Sequence, residues 1–233
     1  MPIYLYENLD KLVQYSGKKS FRELLEAGGI IAYIIVVLGI IALFMLVARV
    51  FFLWRSASDT TNLVEKITPL IENGSKVQAL ELCKKTKGAA SRVLGATIRN
   101  LDAPSGQLED IISESILHET PFLEKFESAI MVFAAVAPLL GLLGTVTGMI
   151  STFDVITEYG TGDPKLLSGG ISEALITTEF GLMVAIPILL LGNLLSGWSE
   201  RIKSGMEKVA LRITNISKGF KPLISQKTAV REA

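Results

Sequence analysis

The sequence predicts an all-α integral membrane protein with three transmembrane helices. Three apolar stretches carry this prediction: Ala27–Ala48, Ile130–Phe153 and Ala174–Gly197, of which the third contains a single charged residue, Glu179. A helix of 24 residues rises ~36 Å, which exceeds the hydrocarbon core of about 30 Å. The mean hydropathy of +0.45 agrees with this class. Each stretch is therefore long enough to cross a bilayer.

Charge is balanced overall but sorted along the chain. The 23 basic and 23 acidic residues leave no net charge, so no global field favours nucleic acid. Residues 199–233 hold eight Lys and Arg against three acids, whereas the segment between the second and third stretches holds one base, Lys165, beside four acids. The positive-inside rule then places the C-terminus in the cytoplasm. With three spans, the N-terminus lies outside.

These observations divide the chain into seven segments. We expect a periplasmic amphipathic N-terminal helix (1–26), transmembrane helix 1 (27–54), a cytoplasmic helical domain (55–129), transmembrane helix 2 (130–153), a short periplasmic loop (154–173), transmembrane helix 3 (174–198), and a cytoplasmic C-terminal helix and tail (199–233). Arg49, Trp54 and Arg55 come at the end of the first apolar stretch, a pattern of cations and an aromatic residue that suits a membrane interface.

Helical spacing of apolar residues continues beyond the second and third spans. From Leu108 to Ile130 the spacing predicts one long helix that leaves the bilayer, interrupted only at Pro121. Met206, Val209 and Ile213 have similar spacing after the third span. Spans two and three are therefore predicted to extend into a cytoplasmic helical bundle, packed against residues 63–98.

Small residues and prolines mark the second and third spans as helices that pack closely and bend. Small residues on a membrane helix let a neighbouring backbone approach, and proline removes a backbone hydrogen bond. The candidates for packing and kinks are Pro138, Gly141, Gly144 and Gly148 in span two, with Gly181 and Pro187 in span three. Either proline is equally well explained as a kink without function.

Polar side chains inside the spans are the candidate functional residues. A charge near the centre of a membrane helix costs ~2.5–3.5 kcal/mol on insertion scales, so such residues usually face a cavity or a partner. The candidates are Thr145, Glu173, Thr178 and Glu179. For Glu179 the alternative is an interfacial residue packed between subunits, and for Glu173 a solvated or capping role. Each threonine could instead return a hydrogen bond to its own helix.

The sequence offers no residues for an enzyme mechanism. It has no phosphate-binding glycine loop, no nucleophile elbow and no metal-ligand motif, and we predict neither a cofactor nor a metal. The lone Cys83 is expected to be a small buried hydrophobic residue. We further expect Arg201 and Lys203 to contact anionic lipid headgroups at the end of span three, although the general positive-inside topology explains the same charges equally well.

Two long motifs resemble a known family. Residues 137–150 (APLLGLLGTVTGMI), followed by 170–178 (GISEALITT) and 181–187 (GLMVAIP), closely resemble the ExbB/TolQ/MotA proton-channel family. Three spans with the N-terminus outside resemble its ExbB and TolQ branch.

This resemblance implies an inner-membrane ring subunit of a motor driven by the proton-motive force. It implies a bacterial inner-membrane homopentamer around two single-span ExbD- or TolR-like chains, whose aspartate carries the proton, with a TonB- or TolA-like energy transducer as a further candidate partner. By motif, Thr145 and Thr178 would face the pore and Glu173 would be the family glutamate. Glu179 stands where the family usually has a small apolar residue. The alternative function is a membrane scaffold without ion conduction.

Overall fold

The computed structural model describes residues 20–57, 60–160 and 164–219. Every element in this part of the chain is an α-helix. The eight helices are α1 (Phe21–Ala27), α2 (Gly29–Ser56), α3 (Thr60–Glu72), α4 (Lys76–Lys85), α5 (Ala89–Arg99), α6 (Ser105–Leu123), α7 (Glu127–Tyr159) and α8 (Pro164–Ser217).

Three of these helices, α2, α7 and α8, are long and apolar enough to cross a membrane. Their apolar faces are exposed in the isolated chain, as expected for side chains that meet lipid or another subunit. The predicted all-α class with three membrane helices is confirmed. The orientation of the chain across the membrane stays a prediction. Residues 1–19 of the predicted N-terminal helix and residues 220–233 of the tail lie outside the described residues.

The chain forms two compact units. Within the described residues, unit 1 comprises residues 20–39, 135–160 and 164–185, and unit 2 comprises residues 40–57, 60–134 and 186–219. In unit 1 the short helix α1 begins with a capping box, in which Glu23 accepts a hydrogen bond from the backbone N–H of Ser20 at 2.9 Å. Phe21 of α1 packs edge-on against Phe180 of α8, with ring centroids 5.6 Å apart.

Unit 1 has a small apolar core where α2 meets the start of α8. Its buried members are Ala32, Ile35, Ile176 and Phe180. The approach is close, because a Cβ placed on Gly39 would lie 3.0 Å from the Val184 side chain. The first half of α2 is thereby fixed against α8.

Unit 2 contains a helical bundle with a conventional aliphatic core. Buried side chains come from α3, α5, α6 and α8; the largest include Ile67, Leu94, Ile98, Leu108, Met206 and Ile213. The expected stripe on α8 is present, since Met206, Val209 and Ile213 are all buried. Cys83 lies in this core as predicted, and burial raises the pKa of its thiol to about 11.

The expected single helix from Leu108 into the membrane is instead two helices, α6 and α7. The break falls at residues 124–126, where Phe126 has a left-handed backbone with φ of 67°. Helix α8 contacts this break on one side: Ser199 donates a hydrogen bond to the Leu123 carbonyl at 3.3 Å, and Lys203 bonds Glu124 at 2.6 Å. These contacts stabilise a backbone that a non-glycine residue rarely adopts.

Candidate functional site

Helices α7 and α8 meet along a seam of small residues in unit 1. We call this contact the glycine seam: Gly141, Gly144 and Gly148 of α7 against Ala174, Thr177, Thr178 and Gly181 of α8. A Cβ placed on Gly181 would lie 2.8 Å from the Ala137 carbonyl oxygen, and one on Gly148 would lie 2.9 Å from the Ala174 Cβ. Real Cβ atoms do not approach so closely, so the two backbones touch only because these positions are glycine.

Two adjacent threonines of α8 occupy this seam in different ways. Thr177 is fully buried, donates to the Ala174 carbonyl at 2.8 Å, and fills the space above Gly144. Thr178 is half-buried. Its hydroxyl oxygen lies 3.2 Å from the carbonyl oxygen of Gly141 in α7 and 3.4 Å from the carbonyl oxygen of Ala174 in α8. Of the predicted pore threonines, Thr178 thus bridges the two spans. Thr177, which is not one of the predicted pore threonines, is the more deeply buried of the two.

Thr145 lies on α7 and bonds within its own helix. Its hydroxyl donates to the Leu142 carbonyl at 2.6 Å, and the side chain is only partly buried. Thr147, two residues on, is more exposed and donates to Leu143 at 3.0 Å. A hydroxyl has one hydrogen and two lone pairs, so Thr145, once bonded in this way, offers acceptor lone pairs to a partner.

Glu173 lies against the first residue of α2. Its carboxylate occupies the space that a Cβ on Gly29 would need, and Gly29 has a left-handed backbone with φ of 61°. A helix N-terminus carries partial positive charge and unpaired N–H groups, so a carboxylate is stabilised there. In the isolated chain Glu173 thus lies beside the start of the first span, without a hydrogen bond to any other described residue; the capping role that the sequence left open stays a prediction.

Glu179 is the isolated charge of the site. The side chain is exposed, and within the described residues it has no hydrogen-bond or ion-pair partner. Its neighbours one turn away on α8, Leu175, Leu182 and Met183, are exposed aliphatic side chains. A single carboxyl group therefore interrupts an apolar stripe on a membrane helix.

The two candidate kink prolines lie inside continuous helices. Pro138 is within α7 and is half-buried, and Pro187 is within α8 and is exposed. Neither ends its helix, as is usual where the surroundings compensate for the missing hydrogen bond.

A buried ion pair in unit 2 was not anticipated. Arg49 was expected at the membrane surface, but its side chain is fully buried, and its Nη2 donates to Glu127 Oε2 at 2.6 Å. Its Nε and Nη1 atoms have no partner in the described chain. Arg49 therefore pairs inside the protein and does not face lipid headgroups, whereas Trp54 is 71% exposed; their position at the membrane interface stays a prediction. The pair joins the end of span one to the first residue of α7, and their separation of 78 residues hid it from sequence inspection.

Comparison with known proteins identifies the family. A family model described as the MotA/TolQ/ExbB proton channel family matches residues 85–208, which is more than half of the chain. The chain belongs to this family. The match includes the whole glycine seam, with Thr145, Glu173, Thr178 and Glu179.

Individual relatives agree with the ExbB and TolQ branch. A protein named putative biopolymer transport protein ExbB homolog, from Methanothermobacter thermautotrophicus, is 27% identical over 210 residues, which cover 89% of this chain and 73% of that protein. A putative biopolymer transport protein ExbB-like 1 from Synechocystis is 32% identical over 173 residues, or 72% and 67% of the two chains. A Tol-Pal system protein TolQ from Haemophilus influenzae is 33% identical over 100 residues, or 42% and 44%.

A solved structure shares the fold. A chain of C. jejuni MotAB matches with a TM-score of 0.61 and 16% identity, over 85% of this chain and 81% of that one. At this identity the match shows a common fold alone. Together, the family match and the three apolar helices make the chain a multi-pass membrane protein.

Proposed function

We propose that this chain is the ring subunit of a proton-driven motor in the bacterial inner membrane. Five copies would surround the single-span helices of two ExbD- or TolR-like partners, and proton flow would drive movement of one set of helices relative to the other. Membership of the proton channel family supports this proposal. The observation that carries it is the Thr178 hydroxyl, which lies within the glycine seam, 3.2 Å from the Gly141 carbonyl.

The threonines suit a partner carboxyl that is loaded with a proton. In the geometry described above, Thr145 and Thr178 have donated their hydrogens to backbone carbonyls. They can then accept a hydrogen bond from a protonated carboxyl, but they have no hydrogen left for an ionised one. A surface of this kind favours the protonated, neutral form of the partner carboxyl while that carboxyl crosses the apolar part of the ring. The work would come from the proton-motive force, at ~2.3 kcal/mol per charge per 100 mV.

The close packing of α7 and α8 would make these two helices a rigid part of each ring subunit. Because a Cβ at Gly181 or Gly148 would meet the facing helix within 3 Å, the two backbones are in close contact, and we expect the two spans to move as one body. Glu173 adds a contact between α8 and the start of α2. We assign Glu173 to positioning of the first span at the outer end of the proton pathway.

Glu179 has two candidate roles in this ring. It is a second protonatable group of the pathway or a hydrogen-bond partner of a neighbouring subunit, because an unpaired carboxylate among exposed leucines is costly in lipid. Glu179→Gln keeps hydrogen bonding but removes proton exchange. Full partner-dependent proton flux in this variant would exclude the first role and leave the second.

Native mass spectrometry tests the proposed architecture. The chain is expressed alone and then with the single-span protein encoded beside it, and each complex is solubilised in detergent. We expect a fivefold mass that gains two copies of the single-span protein. A monomer or dimer that takes up no neighbour would contradict the motor and favour the scaffold.

A further inference from the structure

A cavity of about 350 Å³ lies within unit 2, where the apolar parts of α2 and α8 end. It is lined by Ala57, Thr60, Ala90, Trp198, Arg201, Ile202 and Gly205. Its volume is within the range of ~300–1,000 Å³ that is typical of small-molecule sites. Its position beside the helical bundle, at the ends of two membrane helices, is that of a membrane–water boundary.

Two polar side chains of this cavity, Arg201 and Thr60, have no hydrogen-bond partner among the described residues. Arg201 is exposed and forms no ion pair or hydrogen bond with the described residues. The Thr60 hydroxyl is likewise unbonded in that part of the chain. By contrast, Lys203 is bonded to Glu124 at 2.6 Å and to Glu200 at 3.3 Å. Of the two cations expected to meet lipid headgroups, Lys203 has protein partners instead, and Arg201 alone is available.

The remaining wall of the cavity is apolar and continues toward the bilayer. Trp198 and Ile202 of α8 face the cavity together with Ala57 and Ala90. One turn before Trp198, Leu194 is 66% exposed on the membrane side of α8. Tryptophan is enriched at membrane interfaces because it has an apolar body and a polar N–H. A molecule that fills this cavity can therefore have a charged group near Arg201 and hydrocarbon in the membrane.

We propose that this cavity binds the phosphate headgroup of an anionic phospholipid, taken from the leaflet on the side of the helical bundle. The Arg201 guanidinium presents a planar set of donors that matches phosphate oxygens, and Thr60 adds a hydroxyl donor. Trp198 packs against the glycerol and upper acyl region. A soluble phosphate compound would leave the apolar wall unused, which is why the lipid is favoured. The proposal does not depend on proton conduction.

Lipid competition measured by native mass spectrometry tests this site. The detergent-purified chain is incubated with equal amounts of dioleoyl phosphatidylglycerol and dioleoyl phosphatidylcholine. We expect one phosphatidylglycerol per chain to be retained with at least about tenfold preference over phosphatidylcholine. Arg201→Gln should abolish the preference, Arg201→Lys should keep part of it, and Thr60→Val should weaken it by a smaller factor.

Lys208→Gln is the matched control. It removes the same charge from an exposed position two turns further along α8, so general attraction of the lipid to basic residues would fall equally in both variants. Equal losses in Arg201→Gln and Lys208→Gln, or equal retention of the two lipids by the unmodified chain, would overturn the proposal. Displacement of the lipid by millimolar glycerol 3-phosphate would also overturn it, because the site would then serve a soluble phosphate. Circular dichroism confirms that each variant is folded.

Discussion

Each of the two compact units is stabilised internally, and the kind of contact differs between them. In unit 1, helices α7 and α8 approach through glycine, alanine and threonine, and no ion pair joins two helices among its described residues. In unit 2, large aliphatic side chains form a core, and ion pairs link separate helices, as between Arg92 and Glu119. Lipid is as apolar as leucine, so membrane helices gain from close backbone packing, whereas a bundle in water gains from burial.

The comparison has a consequence for where function can lie. In the proposed function, a seam without charges and with two threonine hydroxyls is suited to pass a neutral, protonated group. A bundle fixed by an aliphatic core and ion pairs is suited to stay rigid while that group moves. Because the two units depend on different contacts, we expect substitutions to disturb each of them separately.

Breaking the buried ion pair of unit 2 should have the largest effect on stability. Glu127→Ala removes the only acceptor that the described residues offer to the fully buried Arg49, and an unpaired buried charge typically costs about 3–5 kcal/mol. The apparent melting temperature in detergent should fall strongly. The double variant Arg49→Met with Glu127→Leu should recover most of the loss, because it removes both charges. A double variant as unstable as Glu127→Ala would show that the charges themselves are required.

Filling the glycine seam should destabilise unit 1 by a smaller amount. In Gly144→Ala the added methyl overlaps the Thr177 side chain, and overpacking of this kind costs about 1–3 kcal/mol. Gly106, inside α6 of unit 2, has no atom within 4 Å of an added Cβ, so Gly106→Ala should instead stabilise by about 0.5–1 kcal/mol. Thermal unfolding of both variants measures the contrast. Equal shifts would mean that the seam is not tightly packed.

The partly exposed ion pair of unit 2 should contribute little. Glu119 accepts two hydrogen bonds from the Arg92 guanidinium, which raise the pKa of that guanidinium, but the arginine side chain is 57% exposed. A double-mutant cycle with Arg92→Gln and Glu119→Gln should give a coupling of about 0.2–1 kcal/mol that falls as salt is added. A coupling above 2 kcal/mol that salt does not change would indicate a buried pair.

The reactivity of the Cys83 thiol measures how well water is excluded from the core of unit 2. Burial raises the pKa of its thiol from 9.0 to about 11, so the folded chain disfavours the thiolate. The corresponding stability is complete below pH 9 and is lost as the pH rises from 9 toward 11, where only the unfolded chain ionises readily. At pH 8 iodoacetamide should modify the native chain far more slowly than the denatured chain. Equal rates would show that water reaches this core.

Several features of the fold followed from local patterns. The three apolar stretches predicted the membrane helices, and the spacing of Met206, Val209 and Ile213 predicted a buried stripe on α8. Both depend on residues within one helix. The break between α6 and α7 was missed because no glycine or asparagine marks it; Phe126 adopts its left-handed backbone in a segment bonded to α8.

The residue types of the candidate site were predictable from the sequence, but which side chains face the helix contact was not. Glycines and threonines in the two motifs indicated a close, polar helix contact. Thr177 and Thr178 are adjacent and identical, and a rotation of 100° decides which one is buried, so helical spacing alone could not choose between them, and Thr178 was selected by the family motif. Arg49 was placed at the surface because its partner, Glu127, is distant in sequence. Long-range pairing of this kind has no local signal.

Proton flux through the reconstituted complex tests the central claim most directly. The chain is purified with its single-span partner, sealed into vesicles and given an inside-negative potential, and proton entry is followed with a pH-sensitive dye. Thr178→Val and Thr145→Val each remove a hydroxyl from the proposed pathway, and Thr147→Val removes one from an exposed position on the same helix as Thr145. We predict that the first two variants lose partner-dependent flux by at least about tenfold, equivalent to ~1.4 kcal/mol, while Thr147→Val conducts normally and all assemble. Normal flux in both Thr178→Val and Thr145→Val would contradict the assignment of the pathway to these threonines.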